Sequence, residues 1–304
     1  YYRPQDWLMI NTGLRLRKKT KVYNRARFSV AFQKVTEGRN DRKYRDKWLR
    51  KRTENVDIYS LNSDFDKQLP LAQNIYYGFS LDVNNVKSSG LEENIATGKV
   101  LAVASRYPDG GSRTFQTGLY FSYKKNMQKL PLTLLTGIRF SATSLSSKFV
   151  DTAYYHLPYT NINLNNQALT GNFGLVYRPA QWQFRLNLSS GFRSPNLDDV
   201  ARIFDSEPGN VVVPNKNLKP EHLYNGEFGV ARAFQNKTDI ELTAFYSYLY
   251  HAMVRRNFQL NGQDSIYYDG ELSRVQAVVN AGYATIYGFS MSADILLIPH
   301  LGLK

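Results

Sequence analysis

Eight cations crowd one short stretch: Arg39, Arg42, Lys43, Arg45, Lys47, Arg50, Lys51 and Arg52 lie between Gly38 and Thr53, with Tyr44 and Trp48 among them. Lys and Arg neutralise phosphates and aromatic rings stack on bases, so these residue types would suit nucleic acid. They suit equally an anionic small ligand or the phosphates of a lipid surface. A second cluster, Arg15, Arg17, Lys18, Lys19, Lys21, Arg25 and Arg27, brackets a short turn and reads as a charged rim. Ser-His-Asp catalysis needs a base oriented by a carboxylate. His156 follows Asp151 by five residues and His251 precedes Asp264 and Asp269, yet no segment resembles a nucleophile motif. Asp198, Asp199, Asp205 and Glu207 offer oxygen ligands but lack the ordered spacing and Gly of an EF-hand loop. With no Cys, thiol nucleophiles, thiolate metal sites and disulfides are excluded. The expectation is no catalytic residue, no metal site and no cofactor.

The elements that must position these residues are strands. Trp182, Phe184, Leu186 and Leu188 alternate with Gln183, Arg185, Asn187 and Ser189. Ile75, Tyr77, Phe79, Leu81 and Val83 alternate with Tyr76, Gly78, Ser80, Asp82 and Asn84, and Leu132, Leu134, Ile138 and Phe140 with Thr133, Gly137, Arg139 and Ser141. Leu169, Phe173, Leu175 and Tyr177 face away from Thr170, Asn172 and Gly174, and Ile240, Leu242, Ala244 and Tyr246 from Asp239, Glu241 and Thr243. The pattern predicts about eleven strands of roughly 10 to 13 residues, long enough to cross a bilayer when tilted. Short gaps are expected at Arg17 to Asn24, Lys67 to Ala72, Lys125 to Leu130, Arg178 to Gln181 and Phe234 to Lys237. They alternate with long gaps at Gly38 to Arg52, Asn85 to Ser112, Leu145 to Asn166, Ser194 to Pro220 and His251 to Ser273. Such parity puts plain turns at one rim of an up-and-down sheet and elaborated loops at the other.

Composition agrees. Mean hydropathy is -0.44 and no apolar run approaches the roughly 18 to 20 residues of a spanning helix, whereas a barrel shows its lipid face at every second residue. The 22 Tyr and 17 Phe are a high aromatic load. Many fall at strand ends (Tyr120, Phe121, Tyr123; Tyr246, Tyr248, Tyr250), where interfacial girdles are expected. The chain opens without a charged n-region and apolar h-region, the expectation for a mature segment or a fragment. No linker or composition shift divides it, so residues 1–304 read as one unit.

Four segments carry a more specific signal. Ser190-Gly-Phe-Arg-Ser-Pro-Asn-Leu197, followed by Asn215-Lys-Asn-Leu-Lys-Pro-Glu221 and Glu227-Phe-Gly229, resembles the late-barrel signature of TonB-dependent outer-membrane receptors. So does Asn280-Ala-Gly-Tyr-Ala-Thr-Ile-Tyr-Gly288. Phe32-Gln-Lys-Val-Thr-Glu-Gly-Arg-Asn-Asp-Arg42 is similar to the Gln, Glu, Arg pattern of that family's iron-complex and haem branch, and Ser105-Arg-Tyr-Pro-Asp-Gly-Gly-Ser112 to its loop-to-strand re-entry. The residues also have a plain physical reading: Pro195 cannot donate to a ladder, and Pro214 and Pro220 bracket the chain's return, so the first motif shapes a loop exit.

The resemblance implies an all-β fold, an antiparallel up-and-down transmembrane β-barrel, with this chain forming about half of a 22-stranded barrel and the plug domain absent. It implies uptake of a scarce nutrient through the bacterial outer membrane. The implied partners are the TonB-ExbB-ExbD complex, engaged through an N-terminal region absent from this chain, outer-membrane lipid and lipopolysaccharide, and a small-molecule metal complex, with no nucleic acid. Outer loops would select the ligand, which makes Arg42, Tyr44, Arg45, Trp48, Tyr155, His156, Arg193 and Asn196 the candidate ligand-binding residues. Haem receptors of the family carry a His between the two late boxes; Arg193 to Lys219 holds none, and Lys216 stands where Pro is expected. An iron-siderophore or similar complex is the first reading. A haem receptor and a passive porin-like or structural barrel are the alternatives, and a soluble nucleic-acid-binding β protein would require the Ile75 and Trp182 faces to be buried in a core.

Overall fold

The computed structural model describes residues 2–150, 157–234, 239–268, 270–298 and 301–303. Long strands dominate: β1 (Tyr2–Arg17), β2 (Arg25–Asp41), β3 (Trp48–Leu69), β4 (Gln73–Asn94), β6 (Ser112–Asn126), β7 (Leu132–Lys148), β8 (Asn161–Tyr177), β9 (Trp182–Arg193), β12 (Glu221–Ala233), β13 (Asp239–Tyr250) and β17 (Tyr283–Ile298). Each pairs antiparallel with the next in that order, with the short β18 (Leu301–Leu303) beyond β17. The expected eleven strands are therefore present among the described residues, in one open up-and-down sheet. Between them lie β5 (Val100–Ala102), α1 (Leu197–Val200), β10 (Phe204–Glu207), β11 (Asn210–Val212), β14 (Met253–Asn257), β15 (Ser265–Tyr268) and β16 (Glu271–Asn280).

Register shows why these sequences make a sheet with two unlike faces. Leu61 pairs Val30 and Leu81, Phe79 pairs Leu119, and Leu119 pairs Phe140, so apolar residues meet across the strands on one side. That side is bare: Leu119 is 58% exposed, Leu169 67% and Phe289 80%. A soluble protein would cover so continuous an apolar face. The Ile75 and Trp182 faces lie on it, and Phe79 and Trp182 themselves are exposed, which removes the soluble nucleic-acid-binding reading. Aromatic pairs mark its lower edge at Phe65–Tyr77 and Trp182–Phe184 and its upper edge at Phe32–Tyr59 and Tyr248–Tyr283. Tyr120 departs from the girdle expectation. It alternates away from Phe121 onto the polar face, where its hydroxyl donates to Asp64 Oδ1 at 2.7 Å.

Several strands outrun the expected 10 to 13 residues, with β3 and β4 at 22 each. The segment Gly38 to Arg52, expected as a loop, is instead the top of a hairpin, since β2 runs to Asp41 and β3 resumes at Trp48. Arg50 pairs with Glu92 at 3.2 Å and Lys51 with Glu93, so charged pairs continue the ladder where hydrophobic alternation has stopped. Likewise β4 extends to Asn94 inside the expected Asn85 to Ser112 gap.

Most of the buried core lies at and above the upper rim of the sheet. The long connections build both apolar clusters, one of them against Leu145 and Ile162 at the upper ends of β7 and β8. One joins Leu145, Phe149, Ile162, Val200, Ala201 and Leu218, and the other Ile203, Val211, Val213, Leu260, Tyr268, Val275 and Ala277. A second sheet, ordered β10-β11-β16-β14 with β15 on β16, organises them. The 251–273 stretch, expected as loop, therefore contributes β14, β15 and part of β16 to a folded cap over the polar face.

Candidate functional site

The sequence motifs meet under this cap. Glu37 on β2 and Glu54 on β3 stand directly opposite one another. They lie above the apolar band, because the exposed-face neighbours there are Thr53, Asn55 and Asp57. Like charges so placed repel, and Arg106 answers them: its Nη1 lies 3.8 Å from both Glu37 Oε1 and Glu54 Oε2. Arg39 Nε donates to Glu37 Oε1 at 2.6 Å. Glu54 is 4% exposed, and burial pushes its carboxyl above the usual range against the pull of Arg106. Ser88 Oγ donates to Glu54 Oε1 at 3.3 Å, while Oε2 accepts no hydrogen bond.

Arg106 thereby fastens a strap, residues 103–111, across the upper sheet. Its neighbour Tyr107 donates its hydroxyl to Asp198 Oδ1 at 2.7 Å, and burial followed by that carboxylate pushes the phenol up to about 12. Asp109 Oδ1 accepts from the Val150 N–H at 2.8 Å, and Gly110 N–H donates to the Lys148 carbonyl.

On the next segment Pro195 ends β9, and Asn196 caps the single-turn α1: its side chain accepts from Asp199 N–H at 3.0 Å while Asp199 Oδ2 accepts from Asn196 N–H at 2.9 Å. Arg193 forks between Asp199, at 2.9 and 2.7 Å, and Glu221 at 3.0 Å. Asn215 Nδ2 donates to the Val278 carbonyl, Asn280 Oδ1 accepts from Lys219 N–H at 2.8 Å, and Asn280 Nδ2 donates to the carbonyls of Lys219 and His251. All four resembling segments are thus linked, from Glu37 through Arg106, Tyr107, Asp198 and Asp199 to Arg193, Glu221 and Asn280.

A cavity of about 250 Å³ opens beside this chain of contacts. Its walls include Ser88, Ser105, Arg106, Asp109, Phe149 and Ile203, a mixture of hydroxyls, one guanidinium, one carboxylate and apolar surface. Such a wall suits an organic molecule carrying both polar and hydrophobic groups.

The candidate residues fall into separate places. Arg42 and Trp48 line a hollow of about 200 Å³ at the β2–β3 tip, together with Asp41, Lys43, Asp46, Arg50 and Glu92. Arg42 Nη1 donates to the Asp46 carbonyl at 2.6 Å. Tyr44 is 89% exposed, and Arg45, in the left-handed region at φ 62°, sits over its ring. This tip stands about 16 Å beyond Glu37 along β2, five residues at about 3.3 Å each. Arg193 and Asn196 are in the linked network, where they hold the loop exit. Tyr155 and His156 lie outside the described residues. Arg106, Tyr107 and Glu54 were not among the candidates. The re-entry motif around Ser105 to Ser112 was the signal that could have found the first two, and nothing local marks Glu54.

Comparison with known proteins gives a consistent picture. Residues 2–302 match the family described as TonB dependent receptor-like, beta-barrel. No curated protein sequence matches the chain. Among solved structures, the copper transporter OprC superposes with a TM-score of 0.74 at 10% identity, over 98% of this chain and 45% of that one. The ferric enterobactin receptor of Pseudomonas aeruginosa gives 0.69 at 11% identity, over 97% and 42%. The Serratia marcescens hemophore receptor HasR, solved with its hemophore and heme, gives 0.60 at 10% identity, over 95% and 51%. At these identities the likeness is one of fold. The chain spans about half the length of the structures it resembles.

Proposed function

The chain belongs to the TonB-dependent receptor β-barrel family, and from that premise we propose that it forms wall and outer loops of an outer-membrane receptor for energised uptake of a metal complex, with an iron-siderophore as cargo. The observation that carries this reading is the cap. Its connections all rise from one rim and bury a core against the tops of β7 and β8, and with β4 they line a mixed polar and apolar cavity beside the Arg106 network. A passive pore needs an open polar lumen and no such folded selector. The exposed apolar face between aromatic pairs supports placement in the outer membrane.

A siderophore is favoured over haem by the histidines. Among the described residues, His222 packs tilted against Phe192 and His251 stacks on Tyr250, and neither lines the cavity. Hydroxyls, Arg and Asp on the cavity wall would instead grip the oxygen-rich shell of a chelated metal. The other proposed partner is the TonB-ExbB-ExbD complex, reached through the part of the receptor outside this chain.

The test is growth of a deletion strain on single iron sources, complemented by the full-length gene with and without its TonB-binding box. Rescue on one siderophore, abolished without the box, is the expected result. Rescue on haem alone would move the cargo to the haem branch. Rescue that ignores the box would replace the receptor with a passive pore.

A further inference from the structure

One line of the sheet is zipped over only part of its height. β7 pairs β8 from Leu132–Tyr177 to Lys148–Asn161, and β9 pairs β12 from Trp182–Arg232 to Arg193–Glu221. Between these, β8 and β9 pair only from Tyr177–Phe184 up to Asn172–Ser189; above that level their register stops although both strands continue. Residues 168–171 would face 190–193 there. Side chains stand in for the ladder. Ser190 Oγ accepts from the Gly171 N–H at 2.9 Å and donates to the Gly171 carbonyl at 3.4 Å. Thr170 turns the other way, its hydroxyl donating to the Arg139 carbonyl on β7 at 3.4 Å. Among the described residues, a Cβ on Gly191 would meet Leu223 of β12 and no atom of β8 within 4 Å. Above the break Asn166 Nδ2 donates to Ser194 Oγ at 3.0 Å. On the outer face a hollow of about 810 Å³ lies over the lower end of the line, with Leu169, Gly171, Leu188 and Ser190 in its lining. The break begins level with the upper aromatic edge, since Ser190 pairs Tyr224 and Tyr224 pairs Tyr248. Open backbone is excluded from hydrocarbon, so this is the level at which a ladder can end.

The break also divides the supports of the cap. The strap 103–111 and the connection after β7 rise from the β1–β8 side, and the connections after β9 and β13 from the β9–β17 side. The cavity beside Arg106 takes Ser88, Arg106 and Phe149 from the first side and Ala201 and Ile203 from the second. Above the break the two sides are latched by Tyr107 on Asp198 and Tyr159 on the Pro214 carbonyl, both at 2.7 Å, and by Leu145, Phe149 and Ile162 packing on Val200, Ala201 and Leu218. A line without ladder bonds beneath a small set of latches is the construction of a hinge. We propose that the wall itself parts along β8–β9, and that this parting, rather than loops moving on a rigid wall, opens the cavity between strap and cap. The inference goes beyond the receptor reading and depends on no particular cargo.

The test uses the full-length receptor in lipid nanodiscs, with any Cys outside this chain replaced by Ser; this chain has none. Thr170→Cys/Gly191→Cys spans the break, and Gly174→Cys/Asn187→Cys spans the same two strands where they are paired. Both glycines leave ordinary clearance for a Cβ. Each pair is bridged with a short bis-methanethiosulfonate and released by reductant, so the released form of each variant is its own folding control. Amide hydrogen exchange is followed without ligand. Before bridging, residues 168–171 and 190–193 should exchange about tenfold faster than 172–177 and 184–189, and cap residues 200–203 and 214–218 should open with them. Bridging the break should slow both sets about tenfold, and bridging the paired part should slow neither. Exchange at the break no faster than in the paired part overturns the proposal. So does cap exchange that continues unchanged with the break bridged, which would set the cap moving on a rigid wall. No uptake is read, so failure of the receptor reading on iron sources would leave this result standing.

Discussion

Arg106 is the residue on which the strap depends. It is 9% exposed and faces two carboxylates that oppose each other across a strand pair. Removing a guanidinium from such a place leaves Glu37 and Glu54 opposed with only Arg39, on Glu37, to offset them, and breaking buried pairs costs about 3 to 5 kcal/mol. The 3.8 Å separations argue for the lower end, so Arg106→Ala should weaken strap closure by about 3 kcal/mol. Hydrogen exchange in the full receptor should show residues 103–111 losing protection, with the strands below unchanged; unaltered exchange there would refute the role. Tyr107 makes a pH-dependent contribution. Its phenol is raised in the folded state to about 12, from the usual value near 10, so the contribution is complete below about pH 10 and lost as pH rises toward 12. Thermal unfolding of wild type and Tyr107→Phe should differ most below pH 10, by about 1 kcal/mol for the hydrogen bond to Asp198, and converge as the pH approaches 12. These contacts were legible only in part. The motifs holding Arg106 and Arg193 stand out in the chain, but that Arg106 meets Glu54 depends on a loop returning to a strand that shares no local pattern with it.

At the scale of the element, hydrophobic alternation identified the strands wherever one face meets an apolar medium, and it failed where both faces are wet. The β2–β3 tip is the clearest case: from Arg50 to Asn55 the strand is polar on both sides, so the sequence looks like loop while charged cross-strand pairs keep it extended. The short strands β10, β11, β14 and β15 are three to five residues each and too brief to show a period. Glycines on the polar face mark close approaches that alternation cannot report. A Cβ on Gly78 would lie 2.1 Å from the Ser63 carbonyl oxygen, whereas one on Gly118 would meet the guanidinium of Arg139, the far end of a flexible side chain. Backbone cannot yield as a side chain can. Gly78→Ala should therefore cost about 2 to 3 kcal/mol and lower the yield of folded barrel, while Gly118→Ala should lose only the Arg139 hydrogen bond to Ser80, about 1 kcal/mol. Urea unfolding of the two variants in lipid bilayers measures the contrast, and equal costs would show that the β3–β4 ladder adapts.

At the scale of the whole molecule, the same sheet must satisfy two solvents, and the arrangement of its core follows from that. A soluble protein buries apolar side chains between layers, but here the bare apolar face leaves its covering to lipid, and the protein's own buried clusters gather in the cap and where it meets the tops of β7 and β8. Two nearby residues of β6 report the two environments. Leu119, between Phe79 and Phe140 on the apolar face, is surrounded by residues that can offer a charge nothing, so Leu119→Arg should cost about 2 to 4 kcal/mol at mid-membrane depth. Gln116 lies on the polar face beside Asp82, which can accept an introduced guanidinium, so Gln116→Arg should leave stability within about 0.5 kcal/mol of wild type. The pair changes the same charge three residues apart in one strand. If folding into bilayers, followed by urea titration, gave the two variants equal stability, the apolar face would not be facing lipid; the predicted asymmetry would place the membrane on the Leu119 side and water on the side of Gln116.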